Sequence, residues 1–218
     1  MIAFAFAGLS QAADAQLNKD QLEERKEVLK ASKTQLNEKA SKEARKEAKS
    51  LEKDGWQNAP GALPIEKQLD RSYLMQYEYD AEMYPKYIMG EAMSVAGNYD
   101  AAKMQALELA KQNLAGQIQT EVTALIENTV ANEQMNAEDA ASVTRSISAG
   151  KNLISQSIGR TIPVVELFRT LKNKNKEVMV RIAYNGDLAK KLAKDAIRKQ
   201  LEQEGKDKQK KLDELLGW

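Results

Sequence analysis

The chain contains no cysteine and no histidine. Without thiols there is no disulfide framework and no thiolate nucleophile. Without imidazole as well, the usual ligands of zinc, copper and haem are missing. These absences argue against most metalloenzymes and against Ser–His and Cys–His nucleophile pairs. Calcium or magnesium held by carboxylates stays open, although no EF-hand spacing occurs. An excess of one charge is also lacking: 33 Lys and Arg face 32 Asp and Glu, a net charge of +1. No global field therefore draws the chain toward nucleic acid or anionic lipid. Walker A, GxGxxG, HExxH and GxSxG signatures are absent. Ser-x-x-Lys occurs at Ser50–Lys53 and Ser148–Lys151, a match that composition alone accounts for, with no SDN or KTG partner. Glu138 and Asp139 are adjacent; acids at a helix N-terminus account for them better than a catalytic pair does.

The 218 residues give room for one domain and an appendage. The opening, MIAFAFAGLSQAADAQ, has an apolar run over Ile2–Leu9 and a small-residue end, Ala13-Asp14-Ala15. That order fits a signal-peptide core and an A-x-A cleavage site before Gln16, without the usual preceding basic residue. The plainer alternative is an apolar N-terminus of a cytosolic protein. The run is too short to span a bilayer. From Leu17 to Lys53 the chain is highly charged, with Leu22, Leu29 and Leu36 seven apart and Ala40, Ala44, Ala48 and Leu51 continuing a narrow seam. Pairs such as Glu38–Lys42 support a long helix, but the d positions are too polar for a true coiled coil. This helical arm frays, lies on its own domain, or pairs with another chain.

A breaker cluster, Gly55-Trp56-Gln57-Asn58-Ala59-Pro60-Gly61, follows. Pro64 suits a helix start, and Ile65, Leu69, Tyr73 and Tyr77 then recur every four residues. Tyr87–Ala96 alternates as a half-buried strand does, and Gly97-Asn98 ends it. Ala102, Ala106, Ala110, Leu114, Ile118 and Val122 form the stripe of one long helix, whose alanines let it lie close on a sheet. Gly90 is expected to face that helix. A further helix is predicted from Asn132 or Asn136 to Gly159. Thr161–Leu171 and Glu177–Tyr184 read as a hairpin about Lys172–Asn175. Asn185-Gly186-Asp187 starts a last helix that Gly205 ends. The pattern predicts an α+β fold: a small antiparallel sheet of about three strands, covered on one face by long helices, with an N-terminal charged helical arm. Its expected divisions are a signal-peptide remnant at 1–15, the arm at 16–54, a linker at 55–64, the α+β domain at 65–205 and a tail at 206–218.

The strand with a small residue at Gly90, the helix stepped by Ala101, Ala102, Ala106 and Ala110, and the late strand VMVRIAY resemble the LPP-type lipoprotein domain and the amino-terminal domain of the flagellar protein FlgT. GALPIEKQL, YIMGEAMSV and KNLISQSIGRTIPVVE resemble exported proteins of Bacteroides-type bacteria. The resemblance implies an envelope location and a structural or adhesive role, with no catalytic residues to carry over. The chain departs from the lipoprotein pattern in having no lipobox cysteine.

No catalytic, metal-binding or cofactor-binding residue is expected. The candidate interaction residues are Leu22, Leu29 and Leu36 on the arm, Trp56 in the linker, and Tyr73 and Tyr77 in the tyrosine-rich stretch. Trp56 caps the core or meets a partner; Tyr73 and Tyr77 pack at a domain edge or bind a ligand. Arg160, Arg169 and Arg181 are able to hold a carboxylate or phosphate, with pairing to Glu166 and Glu177 the simpler account. The leading expectation is a non-catalytic exported protein, periplasmic or secreted, which associates with an envelope protein or with itself through the arm and uses neither nucleic acid nor a membrane span. The alternative is a hydrolase or transferase built only from carboxylate, lysine, serine or tyrosine groups.

Overall fold

The computed structural model describes residues 23, 26, 38–81, 83–131 and 137–203. The chain divides into two units, Met1–Lys39 and Ala40–Trp218. In the first, Lys26 and Glu23 form an exposed ion pair at 2.9 Å, the i, i+3 pairing of a helical surface. The expected signal remnant, the tail at 206–218, and Leu22, Leu29 and Leu36 lie outside the described residues.

The second unit runs α1 (Lys42–Lys53), β1 (Gln57–Asn58), α2 (Ile65–Gln76), β2 (Tyr87–Ala96), α3 (Tyr99–Ala131), α4 (Ala137–Ser157), β3 (Ile162–Thr170), β4 (Lys176–Asn185) and α5 (Gly186–Gln203). It is α+β, with one antiparallel sheet in the order β1-β3-β4-β2. The fourth strand is β1, a two-residue piece inside the expected linker that pairs Gln57 with Phe168 and Asn58 with Leu167.

Side-chain alternation assigns the two faces of the sheet. Val178, Val180, Ile182 and Tyr184 of β4 point into one core with Ala102, Ala106, Ala110, Leu114, Ile118 and Val122 of α3, Ile154 of α4, and Ala189, Ala193 and Ile197 of α5. On the other face, Val165 and Leu167 of β3 and Ala183 of β4 join Ala44 and Ala48 of α1, Trp56, and Ile65 and Leu69 of α2. The sheet is thus covered on both faces, not on one as the sequence suggested. The difference lies in α1 and α2. Their apolar stripes are narrow, and only the exposed apolar side of β3 gives them something to bury against.

The expected arm accordingly divides. Ala40, Ala44 and Ala48 are buried in the second core, so Ala40–Lys53 belongs to the domain. Ala44 and Ala48 seat α1 close to its neighbour, and Ala40 does the same for the chain leading into it, because a small side chain brings its backbone nearest to the packing surface. Ser41 caps α1, its Oγ accepting from the Ala44 N–H at 3.3 Å. At the other end Gly55 takes φ +86°, its N–H donates to Glu52 O and the Trp56 N–H donates to Leu51 O, both at 3.0 Å. That is a Schellman closure, and it swings the indole of Trp56 into the core. The expected linker is therefore a capped turn and an edge strand.

Candidate functional site

β2 is an edge strand. Its ten residues pair only with β4, from Tyr87 opposite Asn185 to Ala96 opposite Lys176. The carbonyl of Glu91 is turned away from β4 and accepts from the Asn113 Nδ2 at 2.7 Å. Successive residues of an antiparallel strand alternate in the direction of their backbone groups. Met89, Met93 and Val95 therefore also direct their N–H and C=O groups outward. Met93 is 51% exposed, and Val95 is exposed as well.

Why α3 stands so near this edge follows from Gly90. A Cβ there would meet the Ala110 carbonyl oxygen and come within 2.8 Å of the Leu114 Cβ and 3.0 Å of its N. Glycine lets the backbones of β2 and α3 approach, and Asn113 is carried to the strand margin. Beside it opens a cleft of about 640 Å³, lined by Gln76, Glu91, Asn113, Gln117, Lys151 and Arg181 among others. In its floor Arg181 pairs with Glu91 directly across the β2–β4 ladder. The Arg181 Nη1 also donates to the buried Ser72 Oγ at 2.8 Å. Among the described residues, Lys151 has no ion-pair partner. The Gln76 and Gln117 amides likewise have no described hydrogen-bond partner.

Ahead of β2, residues 78–81 and 83–86 pair as a short hairpin, with Tyr77 capping α2 just before it. Tyr79 and Pro85 form an antiparallel bridge. The Asp80 N–H donates to Tyr84 O at 2.9 Å, the Lys86 N–H to Glu78 O at 2.8 Å and the Met83 N–H to Asp80 O at 3.2 Å. The Asp80 carboxylate accepts from the Tyr84 N–H at 2.8 Å, and the Lys190 ammonium lies 4.4 Å from the Tyr84 ring centroid. These bonds join the two described arms, yet Tyr77 is 68% exposed, Met83 is 74% exposed, and Tyr79 and Tyr84 are exposed too. Met83 takes φ 65°, a left-handed conformation that costs a non-glycine residue about 1–2 kcal/mol.

The candidate residues named from sequence separate here. Trp56 is 5% exposed and lies beneath the Arg169 guanidinium, 4.7 Å from the ring, so it caps the core. The half-buried Tyr73 bonds through its phenol to the Glu47 carboxylate of α1. Burial first, and then that hydrogen bond, push the phenol up to about 12. Only Tyr77 is presented to solvent. Of the three arginines, Arg169 pairs with Glu177 at 2.6 Å, Arg181 with Glu91, and Arg160 is exposed ahead of β3. Glu166 is held instead by Lys103 at 2.8 Å and by the Tyr99 phenol. Burial, followed by that carboxylate, raises the Tyr99 phenol above its ordinary range. The Ser148 hydroxyl is turned back to the Thr144 carbonyl at 3.0 Å, while Lys151 faces the cleft. Ser50 and Lys53 are exposed on α1.

Of the cleft residues, the sequence pointed to Arg181 and Lys151 but not to Gln76, Asn113 or Gln117. Asn113, Gln117 and Thr120 recur at helical spacing on α3, a polar stripe beside the apolar one, and that was the signal available. Among the described residues no group of three or more Asp or Glu side chains is placed to hold a metal ion, and no helix is long and apolar enough to cross a membrane. Compared with protein-family models, curated proteins and solved structures, the chain matches none.

Proposed function

We propose that this chain is a non-catalytic interaction protein of the cell envelope. The observation that carries the reading is the hairpin formed by residues 78–81 and 83–86: its arms are joined by their own hydrogen bonds and, with the adjoining Tyr77, present three tyrosines and a methionine to solvent. A rigid loop with amphipathic side chains loses little entropy when a partner covers it, and tyrosine supplies large contact area with a polar tip. The strained Met83 fits the same reading, since left-handed non-glycine residues gather where recognition needs them. The carboxylates of Glu47, Glu91, Glu166 and Glu177 each have a phenol, lysine or arginine partner, which suits packing better than proton transfer. The envelope location rests on the A-x-A end of the apolar N-terminal run and on the resemblance to exported proteins; the lack of cysteine is compatible with it.

Site-specific photo-crosslinking in native cells tests both parts. A photoreactive residue at position 79 should give discrete adducts in the envelope fraction, while one at the exposed Lys172 should not. A protein confined to the cytoplasmic fraction would refute the location, and equal labelling from both positions would refute the hairpin as the recognition element.

A further inference from the structure

We infer that the cleft beside β2 takes an extended acidic polypeptide segment, which adds to the sheet as a fifth strand; this rests on reading the protein as an interaction module and names the class of partner. Three features converge there. The first is a long open edge: Met89, Met93 and Val95 of the ten-residue β2 turn their backbone groups away from β4, whereas the opposite edge strand, β1, is only two residues long. Unpaired edge groups are a template for an added strand. The second is the bond from the Asn113 amide to the Glu91 carbonyl at 2.7 Å. It puts an N–H donor where the backbone N–H of a neighbouring strand would sit, and a side-chain amide is able to rotate aside. Gln76 and Gln117 line the same cleft with amides that both donate and accept, the capacity needed to follow a peptide backbone.

The third feature is charge. The titratable groups lining the cleft are Lys151, Arg181 and Glu91. Arg181 and Glu91 neutralise each other, which leaves the Lys151 ammonium as the uncompensated charge among the described residues. A segment carrying a carboxylate is favoured, and one carrying an ammonium is repelled. The same charge argues against a second copy of this chain, because a two-fold pairing of β2 with β2 sets matching surfaces against each other and brings like charges into one interface. The exposed Met93 and Val95 offer apolar contact to alternate side chains of the added strand.

The test uses the full chain and two fluorescein-labelled decapeptides of alternating threonine and valine, one with two central glutamates and one with two central lysines. Fluorescence polarisation should show saturable binding of the glutamate probe and binding about tenfold weaker or less for the lysine probe. Lys151→Glu, on an exposed helix face, should invert that preference. Met93→Pro removes an outward N–H that β4 does not use, a position where an edge strand tolerates proline, and should weaken the glutamate probe by about tenfold or more. On binding, the amides of Met89, Met93 and Val95 should gain protection from hydrogen exchange. Four results would overturn the proposal: no saturable binding at millimolar probe, equal binding of both probes, a preference unmoved by Lys151→Glu, or unchanged exchange at those amides. Self-association of the free chain that Met93→Pro abolishes would give the edge to a second copy instead. Should Met93→Pro fail to fold, Lys151→Glu and the exchange data decide. None of these readouts involves position 79, so the crosslinking result stands or falls separately.

Discussion

Two phenols carry the fold's most readable titration. Tyr73 and Tyr99 each bond to a glutamate carboxylate, and each is partly withdrawn from water, so the neutral phenol is favoured in the native state. Tyr73 is raised from 10.0 to about 12, and Tyr99 further in the same direction. A folded-state value above the unfolded one means the contribution is complete below pH about 10 and fades as pH rises through the folded values. Stability should therefore decline on the alkaline side from about pH 10 upward, beyond what general charging causes. Phenolate absorbance followed against pH should show late-titrating tyrosines, and Tyr73→Phe and Tyr99→Phe should each remove one. Titration of both phenols near 10 would contradict the two hydrogen bonds. Neither pair was legible in the sequence, where Tyr73 and Glu47 stand 26 residues apart and Tyr99 and Glu166 stand 67 apart. Glu166 was expected to pair with an arginine. Strand alternation places it on the α3 face, where Tyr99 and Lys103 are the neighbours, while Arg169 points to the α1 face.

Between elements, the contact that fixes the architecture is β2 against α3. The strand hands over to the helix through Gly97-Asn98, with the Asn98 Oδ1 accepting from the Ala101 N–H at 2.9 Å. The helix then runs back over its own strand, alanines first. Gly90→Ala should cost about 1–3 kcal/mol through overpacking, because the new methyl would meet the backbone of α3 and not the yielding end of a side chain. Urea denaturation is the measurement; an unchanged midpoint would show that α3 stands off from the strand. This junction was readable in advance. Period-two alternation gives way to a four-residue alanine step across a turn, and the one glycine within the strand is where strand and helix would collide. The open edge of β2 was not readable, since alternation reports which face a residue takes and says nothing about which neighbour a strand lacks.

At the scale of the molecule, the domain begins earlier than its composition indicates. Ala40, Ala44 and Ala48 close the second core over Val165, Leu167 and Trp56, and the Ser41 N–H donates to the Asp70 carboxylate at 2.9 Å. A chain beginning at Ala40 is expected to unfold in one cooperative transition. One beginning at Gly55 should lose about 2–4 kcal/mol as the second core is uncovered, with a visibly lower thermal midpoint by circular dichroism. Equal midpoints for the two chains would mean that α1 adds nothing to the core.

The sequence by itself determined the fold class, the strand at 87–96, the long helix with its alanine-first stripe, the late hairpin and the role of Gly90. Each is a local periodicity or a local turn, and such patterns are written within a dozen consecutive residues. The absence of cysteine and histidine likewise narrowed the chemistry without any coordinates. Only the tertiary structure decided that helices cover both faces of the sheet, that Trp56 is a core residue while Tyr77 is not, that β2 is an edge, and that Lys151 reaches a cleft whose other charges cancel. Those are relations between segments far apart in the chain. They depend on which narrow apolar stripe finds which half-covered sheet face, a choice set by packing across the whole core and not by any one stretch of residues.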